Sequence, residues 1–190
     1  MTAPQESGRL IATARPIGAS RVLQIALGAL VVALSAQVLV PVPFSPVPMT
    51  LQPLAVLAVG GLLGAAGGAA ALGLYLALGI MGLPVFAGGS SGILHLTGPT
   101  GGYLLAFPVA AALVGRLAGR SAGALGVLLA CAVGMFVIHA GGVAQLAGLG
   151  GNPAAAFRVG FVPFLTGDLL KVGLAAAVIL GGRSMVRGVN

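Results

Sequence analysis

Long apolar runs, divided by glycine and proline rather than by charge, make up the chain after residue 21. A helix that crosses a bilayer needs about 20 mostly apolar residues. Residues 22–115 contain no Asp, Glu, Lys or Arg, so only glycine and proline can mark boundaries there. The pattern predicts six membrane-spanning helices. They are expected at 22–40, 52–65, 68–82, in the run that follows GPTGGY and ends near 115, and at 121–139 and 161–180.

The segments between the predicted spans are rich in proline and glycine. PVPFSPVPMTLQ (41–52) separates the first two spans, and its four prolines are more than the end of a helix requires. GAAGG (64–68) predicts a break in an apolar run that is too long for one span. Residues 84–97 and the glycine-rich residues 141–153 are predicted to be irregular. AAAFR (154–158) follows a proline and predicts a short interfacial helix.

The composition excludes an ordinary soluble domain. Of the 190 residues, 58% are hydrophobic and only 6% are charged, whereas soluble domains carry about 25% charged residues. The expected fold class is therefore all-α integral membrane, with six transmembrane helices in a compact bundle. The first 21 residues lack the apolar region of a cleavable signal peptide. Cys131 is the single cysteine, which excludes a disulfide within one chain.

The basic residues predict the orientation, because Lys and Arg concentrate in cytoplasmic loops. With six spans, only Arg158 falls on the side opposite the termini, and Lys171 lies inside a span. The termini are therefore expected to be cytoplasmic, in a multi-pass protein of the cell membrane. The expected parts are a cytoplasmic segment at 1–21, a membrane domain at 22–182 and a cytoplasmic tail at 183–190. The arginines expected on the cytoplasmic side are Arg9, Arg15, Arg21, Arg116, Arg120, Arg183 and Arg187.

TGDLLK (166–171) places two charges at membrane depth. Asp168 and Lys171 are three residues apart, so they share a face of the predicted helix. A charged residue at the centre of a bilayer costs about 2.5 to 3.5 kcal/mol on insertion scales, and such residues usually face a polar cavity or the bundle interior. The pair is interpreted as one wall of a binding site that opens outward. A structural ion pair between helices is the alternative.

Two further segments offer weaker signals. In GPTGGY (98–103), Thr100 and Tyr103 present hydroxyls and the glycines permit close approach of a ligand or a helix; a tight turn with an interfacial tyrosine is the alternative. Ala29 and Ala33 lie on a small-residue face of the first span, which favours either internal packing or docking of another membrane subunit.

No metal site or catalytic dyad is expected from the sequence. His95 and His139 have no carboxylate, cysteine or third histidine near them in sequence. Ser90, Ser91 and Cys131 have no general base nearby. Because the basic residues are scattered singly, a nucleic-acid partner is not expected either.

Four motifs, in this order and spacing, carry a family resemblance: PVPFSPVPMTLQ, LPVFAGG, GPTGGYLLAF and PFLTGDLLK. They resemble the BioY family, the biotin-binding substrate-capture (S) components of energy-coupling-factor (ECF) transporters. The resemblance covers roughly residues 20–182. It implies six spans, a cytoplasmic N-terminus and separate ATPase subunits.

The resemblance also implies roles for positions of this sequence. The Pro-rich segment corresponds to a loop that closes over an external pocket, with apolar cover expected from Phe44, Val47 and Met49. GPTGGY corresponds to pocket lining, and the two charges of TGDLLK to a polar pair on the last span. Substrate binding is expected at Thr100, Gly101, Tyr103, Asp168 and Lys171. The expected lid residues are Pro43, Phe44, Pro46, Pro48, Met49 and Gln52, and the expected docking residues for a coupling subunit are Ala29 and Ala33.

The resemblance implies a non-enzymatic, biotin-specific subunit of a vitamin uptake transporter, and no cofactor is expected. Its expected partners are biotin, membrane lipid, a transmembrane coupling subunit and a pair of ATP-binding-cassette ATPases. An S component for another vitamin, such as thiamine or riboflavin, is the first alternative, although 5% aromatic residues and no Trp argue against an aromatic stacking cage. An intramembrane enzyme and a structural assembly subunit are the alternatives from other classes.

Overall fold

The computed structural model describes residues 18–121 and 123–188, so the predicted segment 1–21 lies outside it up to residue 17. Seven α-helices and one two-stranded hairpin make up this part, with short 3-10 turns at Ala87–Gly89 and Val162–Phe164. The helices are α1 Ala19–Ser35, α2 Gln52–Ile80, α3 Leu94–Thr97, α4 Gly101–Arg120, α5 Ala124–Gly150, α6 Pro153–Gly160 and α7 Leu165–Gly188, and the strands are β1 Leu39–Val40 and β2 Met49–Thr50.

The all-helical membrane class is confirmed. By length and apolar character, four segments of the described residues are able to cross a membrane: Gln52–Ile80, Gly101–Arg120, Ala124–Gly150 and Pro153–Ser184. Ala19–Ser35 is a shorter apolar helix. α4 packs between α2 and α5, while α1 packs on α2, and α7 contacts both α2 and α5.

α2 is folded into two antiparallel halves at Gly64, within the predicted break at 64–68. Gly64 has φ 74° and ψ 176°, which is accessible to glycine because it has no Cβ. A Cβ built on Gly68 would lie 2.8 Å from the Cα of Gly60, whereas residues eight apart in a continuous helix are separated by about 12 Å. The Arg21 guanidinium donates to the Leu63 carbonyl at 3.0 Å. This bond satisfies one of the carbonyls left free where the first half ends.

The first helix ends earlier than the predicted 22–40. α1 stops at Ser35, and Leu39–Val40 form a strand paired with Met49–Thr50. Pro41 keeps the residue before it, Val40, out of the helical region, which suits the place of Val40 in the strand. The Pro-rich segment is therefore the loop of a β-hairpin, held at both ends by the β1–β2 pairs.

The glycine-rich residues 141–150 were expected to be irregular, and this prediction is wrong because α5 continues through them to Gly150. Gly141 faces the backbone of Gly102 on α4, and Gly142 faces the Tyr103 ring. Helices pack closely at small residues in a membrane, and this packing offsets the weak helical preference of glycine. The helix ends at Gly151, which has φ 65° and caps it in the left-handed conformation.

The last two helices also differ from the predicted bounds. The short helix expected at 154–158 is confirmed as α6 Pro153–Gly160, with the Asn152 side chain accepting a hydrogen bond from the Ala155 amide. The final span begins at Leu165 rather than at 161, after the 3-10 turn. The turn places Phe164 in the core and sets the start of α7 beside the end of α6.

The α2–α4 contact gives a first testable prediction. A Cβ at Gly60 would lie 2.5 Å from the Ala111 carbonyl, so Gly60→Ala should push the two helices apart and lower the melting temperature of the detergent-purified protein. Gly73→Ala, on the same helix, meets nothing within 4 Å. This change should leave the melting temperature unchanged or raise it, because alanine in place of glycine stabilises a helix by up to about 1 kcal/mol. Equal effects of the two changes would contradict this account of the contact.

Candidate functional site

Three ionisable side chains meet in the interior. The Lys171 Nζ donates to Asp168 Oδ1 at 2.9 Å, and His139 Nε2 lies 2.6 Å from Asp168 Oδ2. Each of the three residues is 6% exposed. α7 supplies Asp168 and Lys171 one turn apart, and α5 supplies the histidine. The carboxylate lies in the first turn of α7, where the helix dipole favours negative charge. We call Asp168, Lys171 and His139 the polar cluster.

The end of α6 anchors the polar cluster. The Tyr103 hydroxyl donates to the Gly160 carbonyl at 2.6 Å, and His139 Nδ1 lies 3.2 Å from the same oxygen. This carbonyl is available because it ends a helix. The imidazole also packs edge-on against Phe161, with 5.0 Å between ring centroids. The orientation of the His139 ring is therefore set by α6 on one side and by α7 on the other.

A cavity of about 450 Å³ opens beside the polar cluster. This volume lies in the range of small-molecule sites, which are mostly apolar with a few convergent polar groups. The cavity fits that description, because the polar cluster occupies one wall and aliphatic or aromatic side chains cover most of the rest. The larger aliphatic and aromatic side chains in the lining are those of Leu39, Val47, Phe86, Leu94, Leu104, Phe107, Ile138 and Phe164.

The Pro-rich loop covers part of this cavity and is tied to α6. Pro46, Val47 and Pro48 line the cavity. The Ser45 hydroxyl donates to the Val159 carbonyl at 2.8 Å and accepts from the Val47 amide at 3.1 Å. The loop therefore rests on the α6 carbonyl next to the one that anchors the histidine.

A second buried polar group holds the base of the loop. The Gln52 Nε2 donates to the Tyr75 hydroxyl at 2.7 Å, and Thr50 Oγ1 donates to Gln52 Oε1 at 3.1 Å. Tyr75 packs edge-on against Phe86, with 5.6 Å between ring centroids. Both Thr50 and Gln52 line the cavity, so this hydrogen-bonded group forms part of its wall at the base of the loop.

The structure brings most of the predicted site residues to one cavity. Those that line it are Pro46, Pro48, Gln52, Thr100, Tyr103, Asp168 and Lys171. Four others do not line it: Pro43, Phe44, Met49 and Gly101. A Cβ on Gly101 would overlap the Leu96 carbonyl, so this glycine serves helix packing instead.

The apolar cover expected from three loop residues is supplied by Val47 alone. Phe44 is 98% exposed and has φ 66°, so its ring points away from the cavity. Met49 packs toward α7, where its Sδ would lie 3.1 Å from a Cβ built on Gly167.

The expected docking face is used for internal packing at Ala29. This residue is 2% exposed and belongs to the core, and Ala33 packs partly against the same core. A Cβ on the neighbouring Gly28 would lie 3.0 Å from Ala71 Cβ on α2. Small residues on this face of α1 let it approach α2 closely, so the packing alternative accounts for Ala29.

His139 is the main site residue that the sequence did not assign. Its partner Asp168 is 29 positions away, so no local motif joins them. The available signal was its place inside an apolar run, since an ionisable residue at membrane depth is itself a site hypothesis. Within the residues that the structure describes, no group of three His, Cys, Asp or Glu side chains is arranged to hold a metal ion.

Comparison with known proteins gives the family. The family model described as "BioY family" matches residues 7–188. The chain belongs to the BioY family. The family resemblance expected from the four motifs is therefore confirmed.

Curated BioY relatives match over most of their length. A "Probable biotin transporter BioY" of Pyrococcus horikoshii is 40% identical over 161 residues, covering 84% of this chain and 94% of the relative. A "Biotin transporter BioY" of Thermotoga maritima is 40% identical over 139 residues, covering 73% of this chain and 82% of the relative. The BioY family and these relatives are transporters, so the expectation that the chain is not an enzyme is confirmed.

A solved structure shares the fold. A crystal structure described as the "S-component for biotin from an ECF-type ABC transporter" superposes with a TM-score of 0.81. The sequence identity is 26%, and the match covers 87% of this chain and 91% of the solved one. The present chain, a member of the BioY family, therefore has the S-component fold.

Proposed function

We propose that this chain captures biotin in the cavity beside the polar cluster and delivers it into the cell as the substrate-binding subunit of an ECF transporter. One observation carries the proposal. The cavity of about 450 Å³ is mostly apolar, and a buried carboxylate, with an ammonium and an imidazole bonded to it, lies in its wall. The names of the relatives and of the solved structure support biotin as the ligand.

Biotin matches the chemistry of this cavity. Its thioether ring and aliphatic chain suit the apolar walls, while its ureido group and carboxylate need polar partners. The Asp168 carboxylate can accept a ureido N–H in a charge-assisted bond. The Lys171 Nζ can donate a second hydrogen to the ligand, because an ammonium has three donors and Asp168 occupies one.

The proposed orientation places the cavity toward the outside. The loop that covers the cavity lies at the start of the first half of α2, while Arg21 contacts Leu63 at its other end. The cavity and the side rich in arginine are thus at opposite ends of the bundle, and arginine concentrates on the cytoplasmic side. The membrane domain 22–182 would then have both flanking segments, 1–21 and 183–190, in the cytoplasm.

The proposed energy source lies in other subunits. The sequence contains no phosphate-binding G-x-x-x-x-G-K-[ST] motif. A pair of ATP-binding-cassette ATPases, acting through a membrane coupling subunit, is therefore proposed to drive delivery. The similarity to an S component of an ECF-type ABC transporter supports this arrangement.

The Pro-rich loop 41–50 is proposed to act as a lid that traps the ligand. The Ser45 hydroxyl ties the loop to the Val159 carbonyl of α6, so Ser45→Ala should raise the biotin dissociation rate severalfold, since a net hydrogen bond contributes about 1 kcal/mol. Ser45→Thr keeps the hydroxyl, so biotin should dissociate from this variant at the wild-type rate. Stopped-flow displacement of labelled biotin measures both rates. Identical dissociation rates for the Ala variant and the wild type would refute the lid contact.

Competition tests the proposed ligand. Labelled biotin bound to the detergent-purified protein should be displaced by unlabelled biotin, and thiamine or riboflavin at the same concentrations should leave it bound. Displacement by either of these vitamins at concentrations as low as those of biotin would instead favour an S component for a different vitamin.

A further inference from the structure

The hydrogen bonds of His139 fix the number of protons in the polar cluster. A carbonyl oxygen only accepts, so the Nδ1 that faces the Gly160 carbonyl at 3.2 Å carries a hydrogen. The Nε2 lies 2.6 Å from the Asp168 carboxylate oxygen, and a contact of this length requires a hydrogen between the two atoms. His139 and Asp168 together therefore hold two protons, one on Nδ1 and one between Nε2 and Oδ2.

This proton count fixes the charge of the pair. If the shared proton sits on Nε2, the pair is imidazolium and carboxylate; if it sits on Oδ2, the pair is neutral imidazole and carboxylic acid. The net charge is zero in both cases. Without His139, the Asp168 carboxylate would instead neutralise Lys171 by itself, through the 2.9 Å bond between them.

The positive charge of Lys171 is consequently not neutralised within the polar cluster. The polar cluster has a net charge of +1 in a cavity where the other described lining residues supply no Asp, Glu, Lys or Arg. The titratable groups facing His139 are Asp168 and Lys171 on α7 and Tyr103 on α4, and His95 lines the cavity from α3. Interactions between charges are strong at a site shielded from water. A net +1 favours a ligand with one negative charge.

From this geometry we infer that His139 is a positioning and specificity-determining residue: it holds Asp168 and supplies the proton that makes the cavity selective for a monoanion. This inference rests on the proposed function, in which the ligand is biotin and the monoanionic group is its carboxylate. The chemical class selected is an apolar molecule with one free carboxylate. The cavity should bind the neutral amide of such a molecule more weakly than the free carboxylate.

Two ligands and one substitution separate this role from a merely structural one. Wild-type protein should bind biotin at least about tenfold more tightly than the neutral amide in which –CONH₂ replaces the carboxylate. His139→Gln removes the titratable ring and should weaken biotin binding about tenfold while weakening amide binding about twofold or less. Calorimetry on detergent-purified protein measures the four affinities.

The biotin-to-amide affinity ratio is the decisive quantity, because a general loss of packing would weaken both ligands equally. An unchanged ratio in His139→Gln overturns the inference while leaving the proposed function intact. A wild-type protein that binds neither ligand overturns the proposed function itself. Arg158→Gln is the control, since it removes an exposed basic side chain that does not line the cavity, and its ratio should stay at the wild-type value; a drop like that of His139→Gln would contradict the assignment.

A spectroscopic measurement keeps the inference testable even if His139→Gln fails to fold. The chain has two histidines, so His95→Gln, prepared without a histidine tag, leaves His139 as the sole imidazole. In ¹⁵N-histidine-labelled protein near neutral pH, Nδ1 should show the chemical shift of a protonated nitrogen. A shift typical of an unprotonated Nδ1 would overturn the proton count, because Nδ1 would then not donate to the Gly160 carbonyl.

Discussion

Replacing Asp168 with Asn is expected to lower biotin affinity at least about tenfold, which corresponds to about 1.4 kcal/mol. Asn preserves the shape of the side chain but removes its charge. The carboxylate accepts from both Lys171 and His139, so the substitution leaves these two basic groups without their buried counter-ion. It also removes the charge-assisted acceptor proposed for a ureido N–H. Isothermal titration of detergent-purified protein measures the change.

Two controls separate binding from folding in this experiment. The Asn variant must elute from a sizing column as the wild type does, which shows that the bundle is intact. Asp168→Glu keeps the charge but displaces it by one methylene, so its affinity should fall between those of the wild type and the Asn variant. A folded Asn variant with wild-type affinity would show that the carboxylate takes no part in binding.

Replacing Lys171 with Met should also weaken biotin binding at least about tenfold. Methionine retains an unbranched apolar side chain but lacks the ammonium that donates to Asp168 at 2.9 Å. The net charge of the polar cluster falls by one, and a donor to the ligand is lost. The same titration gives the affinity, and the melting temperature reports whether the variant remains folded.

Arg158 provides a matched control for the loss of a cation. It lies exposed on α6 and does not line the cavity. Arg158→Met therefore removes one positive charge without touching the polar cluster, and its biotin affinity should stay within about twofold of the wild type. If both Met variants lose affinity to the same extent, the effect comes from overall charge rather than from Lys171.

The features that sequence could predict are those that depend on neighbouring residues. Asp168 and Lys171 are three positions apart on a helix, so their contact follows from helical geometry alone. The break at Gly64 follows from a glycine cluster inside an apolar run too long for one span. The extended backbone of the Pro-rich loop follows in part from proline, but its pairing as a hairpin and the end of α1 at Ser35 were not predicted.

The features that sequence could not predict depend on contacts between distant helices. His139 looked isolated because its partners, Asp168 and the Gly160 carbonyl, come from α7 and α6. Gly141 and Gly142 were predicted to lie in a loop because glycine disfavours helices. Their close packing against α4, which stabilises the helix there, is not visible in the local sequence. The outward direction of Phe44 depends on its left-handed backbone conformation in the loop, so it could not be read from the apolar character of the residue.

Equilibrium binding of radiolabelled biotin to the detergent-purified protein shows whether this chain captures biotin. We expect a saturable isotherm that approaches one biotin per chain, with affinity lost in the folded Asp168→Asn and Lys171→Met variants. Absence of saturable biotin binding by folded wild-type protein would contradict it.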